Sequence, residues 1–495
     1  MKKLGAILSF LKIGAIGFGG GTALIPVIER EAIEKNPIIT KDNFREELVL
    51  QGITPGALPL KVACGVGVGH SGIFAVTLSY SVAFVGLFLA ILLTTLLSIA
   101  NDAVLKQTTY IAVGISAFII VVVSKFILKV PKDSKKDKFF VRGLALLFFA
   151  LIFSVGAKLE SFIELFTNSD ISIPFPVLSI TSILVLGVNF VLFTKFEFEK
   201  NLICYTRYIL AISVTILGIL CFSNKPIINN KILNIVLYVV IALMITSAIV
   251  EDIIKAKKAS TEKKKVSIKN PLLAIAILFI PFIVLLVICI LLNKMEINKF
   301  FAFTLNSILS VVTTFGGGTA YISVAEGVFI DSGLVSSDLF WSQIVPISNA
   351  LPGPLLVKML ASIWYYQVFN VGGVGYAIVY ALYGGILGIT ITVVTYMLIY
   401  ILFQYLKNLS IFDKLKISIL PMIAGLLIPT VLSMVVNMMQ TTIGIGLPNY
   451  LSLIMALVLV GIGAFTSKIK MYEPLAILSL GGISFGVINL LISFA

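Results

Sequence analysis

Long apolar runs alternate along this chain with short polar connections. The runs fall at 4–28, 44–68, 71–100, 108–128, 140–157, 174–194, 205–222, 231–254, 271–292, 300–325, 339–366, 373–406, 416–438, 449–466 and 472–494. Most are about the length of a helix that crosses a hydrocarbon core roughly 30 Å thick. None alternates apolar and polar residues with a period of two, which argues against a membrane β-barrel. The pattern predicts an all-α, polytopic membrane protein. Four runs are not uniform: 4–28 and 44–68, and again 300–325 and 339–366, are interrupted by Gly or Pro.

Composition strengthens the prediction. The 495 residues are 59% hydrophobic and 12% charged, with a mean hydropathy of +1.09. A soluble globule carries about 25% charge, so the bilayer is the expected solvent. A formal charge of +14 would suggest nucleic acid in a soluble chain. Here the lysines gather in short loops, where orientation bias explains them, and no nucleic-acid partner is expected. Cys64, Cys204, Cys221 and Cys289 show no metal-ligand or disulfide spacing. Met1-Lys2-Lys3 and the following run imitate a signal peptide but lack a cleavage site, and read as a retained first segment.

The interrupted runs are copies of each other. Phe18-Gly19-Gly20-Gly21-Thr22-Ala23 recurs as Phe315-Gly316-Gly317-Gly318-Thr319-Ala320, and the same offset of 297 pairs Pro55-Gly56 with Pro352-Gly353 and Lys61 with Lys358. Fourteen of the 44 positions from 18 to 61 are identical, including Ile25, Val27, Glu29, Ile33 and Leu58. This is an internal duplication. Two basic loops, one with Lys132, Lys135, Lys136 and Lys138 and one with Lys263, Lys264 and Lys265, both fit the cytoplasmic side. Counting from them places the acidic 158–172 loop outside and gives the two copies opposite orientations. The expected organisation is a repeat over 1–200, linker helices with a basic cytoplasmic loop over 201–294, and a second, inverted repeat over 295–495. Inverted repeats with interrupted helices in matching places mark secondary transporters.

The duplicated residues suggest a site. Three successive glycines each cost about 1 kcal/mol in a helix interior, and broken backbone at membrane depth belongs in protein or beside a polar cavity. A helix restarting after Gly21 or Gly318 would offer its N-terminus to an anion, with Thr22 and Thr319 as further donors. Pro55-Gly56 and Pro352-Gly353-Pro354 interrupt the next segment of each copy. Lys61 and Lys358 follow and are expected to attract an anion, although snorkelling to the interface is the alternative. Glu29, Glu326 and His70 are candidates for proton coupling. For the two acids a solvated position is the preferred reading, and for His70 a core or packing role. Gly67-Val68-Gly69-His70-Ser71-Gly72 imitates a dinucleotide fingerprint without its strand or ribose acid. Packing between two spans accounts for it better.

These motifs resemble the chromate ion transporter (CHR) family. The second copy carries the pattern as Phe315-Gly316-Gly317-Gly318, Asp338-Leu339-Phe340-Trp341, Pro352-Gly353-Pro354 and Gly372-Gly373-Val374-Gly375-Tyr376. The first copy has Phe18-Gly19-Gly20-Gly21, Phe44, Gln51 and Pro55-Gly56-Ala57, so Ala57 replaces the final proline, while Ser348 stands where the first copy has Gln51. The resemblance implies secondary active export or exchange of a small inorganic oxyanion, chromate or sulfate, across a bacterial inner membrane by two inverted halves. A homodimer is compatible with it. The alternative is an anion channel, or a transporter of a different small anion. No Walker A, HExxH or GxSxG pattern is present. No cofactor or metal is therefore expected, and an enzyme is the least favoured class.

Overall fold

The structure, a computed structural model, describes residues 2–16, 39, 47, 50–51, 54–134, 140–167, 176–178, 180–194, 202–223, 226–259, 268–314, 318–406, 410–444, 446–469 and 473–494. Among these the regular secondary structure is helical apart from one isolated bridge between Leu178 and Ser223. The helices are α1 (Lys2–Ile16), α2 (Leu58–Val68), α3 (Gly72–Ser98), α4 (Asp102–Ser134), α5 (Phe140–Thr167), α6 (Ile180–Phe193), α7 (Leu202–Phe222), α8 (Lys231–Ala259), α9 (Lys269–Leu292) and α10 (Ile297–Val312). They continue as α11 (Gly318–Ala325), α12 (Val345–Ala350), α13 (Leu355–Gly372), α14 (Val374–Leu406), α15 (Ser410–Ile443), α16 (Asn449–Lys468) and α17 (Glu473–Phe494). Nine helices among the described residues are long and apolar enough to cross a membrane. The protein is a multi-pass membrane protein.

Uninterrupted apolar runs became helices with nearly the predicted bounds. The departures have local causes. The run at 108–128 starts earlier because Asn101 accepts the Val104 N–H at 2.9 Å, a side-chain cap that hydropathy does not register. The acidic loop expected from 158 is helical through Thr167, so Lys158, Glu160 and Glu164 extend α5. Charged residues end a hydropathy run without ending a helix. α15 runs through Pro421 and Pro429.

The chain divides into two compact units. One comprises Met1–Val123, Ser267–Ile401 and Met434–Ala495; the other comprises Ser124–Val266 and Leu402–Ser433. In the second unit, α6, α7 and α8 pack together, and Arg207 pairs with Glu251 at 2.6 Å.

The first unit is built around α3, which packs against α1, α2, α9 and α13. Small residues permit these crossings, as expected where lipid supplies no hydrophobic drive between helices. A Cβ on Gly72 would meet the Ala274 nitrogen at 2.7 Å, and one on Gly86 would meet the Pro352 oxygen at 2.6 Å. Hydroxyl pairs then join α3 to α13, with Thr94 against Ser362 at 2.9 Å and Ser98 against Tyr365 at 2.8 Å. Beside them Phe300 and Phe303 of α10, Trp364 of α13 and Tyr383 of α14 form a buried aromatic cluster. Trp364 Nε1 donates to Ser307 Oγ at 3.1 Å, so the cluster satisfies its one buried indole donor.

The dinucleotide-like glycines lie at the turn between α2 and α3. Ser71 caps α3 by accepting the Phe74 N–H at 3.1 Å. Gly67 packs directly on the backbone of Ala75, so the stretch brings the short helix α2 close against the span α3. Cys64, Cys221 and Cys289 are buried free thiols.

Candidate functional site

Each repeat breaks its second helical segment at Pro-Gly, and the two breaks share one backbone design. Gly56 has φ of +98° and Gly353 has φ of +95°, left-handed values that glycine alone adopts without strain. The next residue is extended in both: Ala57 at φ −69°, ψ 119° and Pro354 at φ −63°, ψ 117°. Ala57 therefore holds the conformation that a proline fixes, and the loss of the final proline in the first copy leaves the turn unchanged. α2 and α13 then restart, and neither N-terminus is capped by a side chain.

The lysines explain how such a break survives away from water. A helix that stops exposes carbonyl oxygens, and each one buried without a donor is costly. Lys61 reaches back and donates from Nζ to the Thr54 oxygen at 2.6 Å and to the Gln51 oxygen at 2.9 Å. Lys358 donates to the Leu351 oxygen, the position matching Thr54. Both side chains are 1–2% exposed, so neither snorkels to an interface. An ammonium has three donors. Lys61 and Lys358 thus seal the two turns.

The surroundings of the two turns differ. The Gly56 N–H donates to the Thr314 oxygen at 2.7 Å, at the end of α10 and just before the second triple glycine. Thr392 of α14 packs on Gly56 so closely that a Cβ there would lie 2.7 Å from Thr392 Cγ2 and 2.9 Å from its Oγ1. Gly353 instead meets the backbone of α3, where its Cβ would lie 3.0 Å from the Gly86 Cα. Several buried polar atoms near the turns have no hydrogen-bond partner among the described residues: Gln51 Nε2 and Oε1, Thr392 Oγ1, and Ser348 Oγ at the position matching Gln51.

Other expected site residues fare unevenly. Gly19, Gly20, Gly21, Thr22, Glu29, Gly316 and Gly317 lie outside the described residues. Gly318 and Thr319 open α11. Glu326 is buried, 4% exposed, in a wide π-helical turn that continues α11, which corrects the solvated reading. Its neighbours Ala325, Gly327 and Val328 are apolar or small, unlike the charged residues around Glu29. His70 is exposed rather than in the core, with its ring against Phe74 at 5.7 Å.

Three residues of this region escaped the sequence reading. Glu47 is buried and accepts a hydrogen bond from Tyr396 OH, with Gly65 opposite both. An acid inside the 44–68 apolar run was a usable signal. Tyr396 and Thr392 carried none, being ordinary residues of an uninterrupted span. A separate small pocket, lined by Asp338, Trp341 and Asn437 among others, includes no turn residue. No cluster of metal-ligating side chains occurs among the described residues.

A family model described as chromate transporter matches residues 4–203 and 300–487. An uncharacterized transporter of Bacillus subtilis, YwrB, is 34% identical over 119 residues, which is 22% of this chain and 60% of the relative. A chromate transport protein of Cupriavidus metallidurans is 37% identical over 79 residues, 16% of this chain and 20% of the relative. A probable chromate transport protein of Synechococcus elongatus is 35% identical over 63 residues, 13% of this chain and 16% of the relative. These alignments therefore cover less than two thirds of each relative. No solved structure matches the chain.

Proposed function

Because the chain belongs to the chromate transporter family, we propose that it carries a small oxyanion, chromate or sulfate, across a bacterial cytoplasmic membrane as a secondary transporter. The observation that carries this reading is the pair of turns at Gly56 and Gly353, built alike and each sealed by a buried lysine. Buried cations beside interrupted helices suit an anion that must shed water within the membrane. Lys61, Lys358 and the two turns, Pro55-Gly56 and Pro352-Gly353-Pro354, are its proposed lining. The second triple glycine enters through its flanks, the Thr314 carbonyl and the start of α11 at Gly318, while Gly19, Gly20, Gly21 and Thr22 are proposed as its counterpart from the sequence repeat alone. The charge pattern of the loops favours opposite orientations for the repeats, and alternating access follows from that symmetry. Transport, not chemical conversion of the anion, is the activity to which the family points.

The test is uptake of labelled sulfate and chromate into proteoliposomes of known orientation, with and without a proton gradient. Accumulation above the external concentration is expected. Uptake that only equilibrates the anion would favour a channel, since a channel cannot move it uphill. No uptake of either anion would remove the oxyanion reading.

A further inference from the structure

The two turns share a backbone, but they are not equipped alike, and the difference points to where the anion is held. At the first turn the contact on Gly56 is a side chain: Thr392, fully buried, with Oγ1 unpartnered and lying at Gly56. Gln51, four residues before Pro55 in the sequence, is 2% exposed with both amide atoms unpartnered. The uncapped N-terminus of α2 begins two residues beyond Gly56. At the second turn the corresponding contact is backbone on backbone, Gly353 against Gly86, with the Pro352 carbonyl turned toward α3. A carbonyl repels an anion where a hydroxyl or an amide N–H attracts it. Ser348 Oγ is the unpartnered group on that side.

Buried polar atoms without partners cost roughly 1–3 kcal/mol each. A site that leaves them unpaired, beside a helix N-terminus and a buried ammonium, is arranged for something that arrives later. We propose that the first Pro-Gly turn is the anion-contacting half of the pathway. Its ligands are Gln51 Nε2, supplied by the first repeat, and Thr392 Oγ1, supplied by the second. Both donate hydrogen bonds to an oxygen of a tetrahedral oxyanion. The second turn lines the same path with Lys358 but offers the anion no comparable pair of side-chain donors, and its close backbone contact fixes α13 on α3. This assignment rests on the oxyanion reading above and assigns its contacts.

The experiment is anion-dependent thermal stabilisation of the purified full chain in detergent, with sulfate and chromate as probes, backed by KM in proteoliposomes. Thr392→Val keeps the shape that packs on Gly56 and removes only the hydroxyl. It is expected to raise the half-saturating anion concentration and KM about tenfold or more, as for a lost hydrogen bond to a charged group, while the anion-free melting temperature stays level or rises. Gln51→Leu is expected to weaken binding by a similar factor. Ser452→Ala deletes another buried, unpartnered hydroxyl, in α16, and should leave both values within about twofold of wild type, the ordinary result away from a site. An unchanged half-saturation in Thr392→Val would overturn the proposal, as would an equal loss in Ser452→Ala or a loss in Ser348→Ala as large as in Thr392→Val. A wild-type chain that transports either anion while Thr392→Val matches it sinks this assignment alone. A wild type that neither binds nor carries them removes the oxyanion reading as well.

Discussion

Replacing Lys61 by Met is expected to lower anion uptake by at least about tenfold while the protein still inserts and stays folded. Two opposing effects decide the stability side. Removing Nζ leaves the Thr54 carbonyl without its lysine donor and the Gln51 carbonyl with only the long 3.4 Å bond from the Thr54 hydroxyl, and a buried group left unpaired costs about 1–3 kcal/mol. The same change relieves the burial of an ammonium, which costs several kcal/mol in real proteins. The two offset, so the melting temperature moves little. Transport has no such compensation, because the lost charge is the attraction itself. Lys358→Met should follow the same course, with a smaller stability term because a single carbonyl is released. The measurements are labelled-anion uptake and thermal unfolding on the same preparations. A variant that keeps wild-type uptake but melts many degrees lower would mean that the lysine is only a strut for the turn.

Gly86→Ala should be strongly destabilising, because the residue sits where α3 crosses the second turn. In an open helix, Gly to Ala gains about 1 kcal/mol. At position 86 the new methyl would sit 2.6 Å from the Pro352 oxygen and 3.1 Å from the Gly353 Cα, both backbone atoms that cannot rotate aside. Overpacking of this kind costs about 1–3 kcal/mol and more where backbone must shift, so the clash outweighs the gain. Gly461→Ala in α16 is the internal control, because a Cβ there meets nothing within 4 Å. Its expected effect is neutral or stabilising. The opposite signs can be read by size-exclusion thermostability of the two variants. Equal behaviour would mean that α3 and the Gly353 turn do not touch as described.

Helices in this protein could be read from apolar runs because lipid enforces one rule: every backbone group must bond within its own segment. That is why Gly72–Ser98 and Lys269–Leu292 match their runs closely. The rule weakens at helix ends. Asn101 starts α4 early, and Glu160 and Glu164 sit on a helix that hydropathy had ended. The turns were legible because Pro, Gly and Lys are each costly in a spanning helix, and all three recur at one offset. The reach of Lys61 over seven residues was not, since a lysine in a sequence looks the same whether it meets an anion, a carbonyl or water. Thr392 was invisible for another reason. It is far from Gly56 along the chain, and a threonine in a long apolar span carries no local signal. Glu326 was misjudged because the surroundings of its twin, Glu29, were taken as its own.

The hydrogen bond from Gly56 to Thr314 sets an order on synthesis. Its donor and acceptor are separated by 258 residues. At about 5–20 residues per second, the donor leaves the ribosome roughly 10 to 50 seconds before its acceptor exists. During that interval the first turn can have its lysine seal, since Gln51, Thr54 and Lys61 are close in sequence, but neither the Thr314 carbonyl nor Thr392. The local seal and the distant closure are thus separate events in time. The first repeat waits in the membrane as an unfinished half until the second is made.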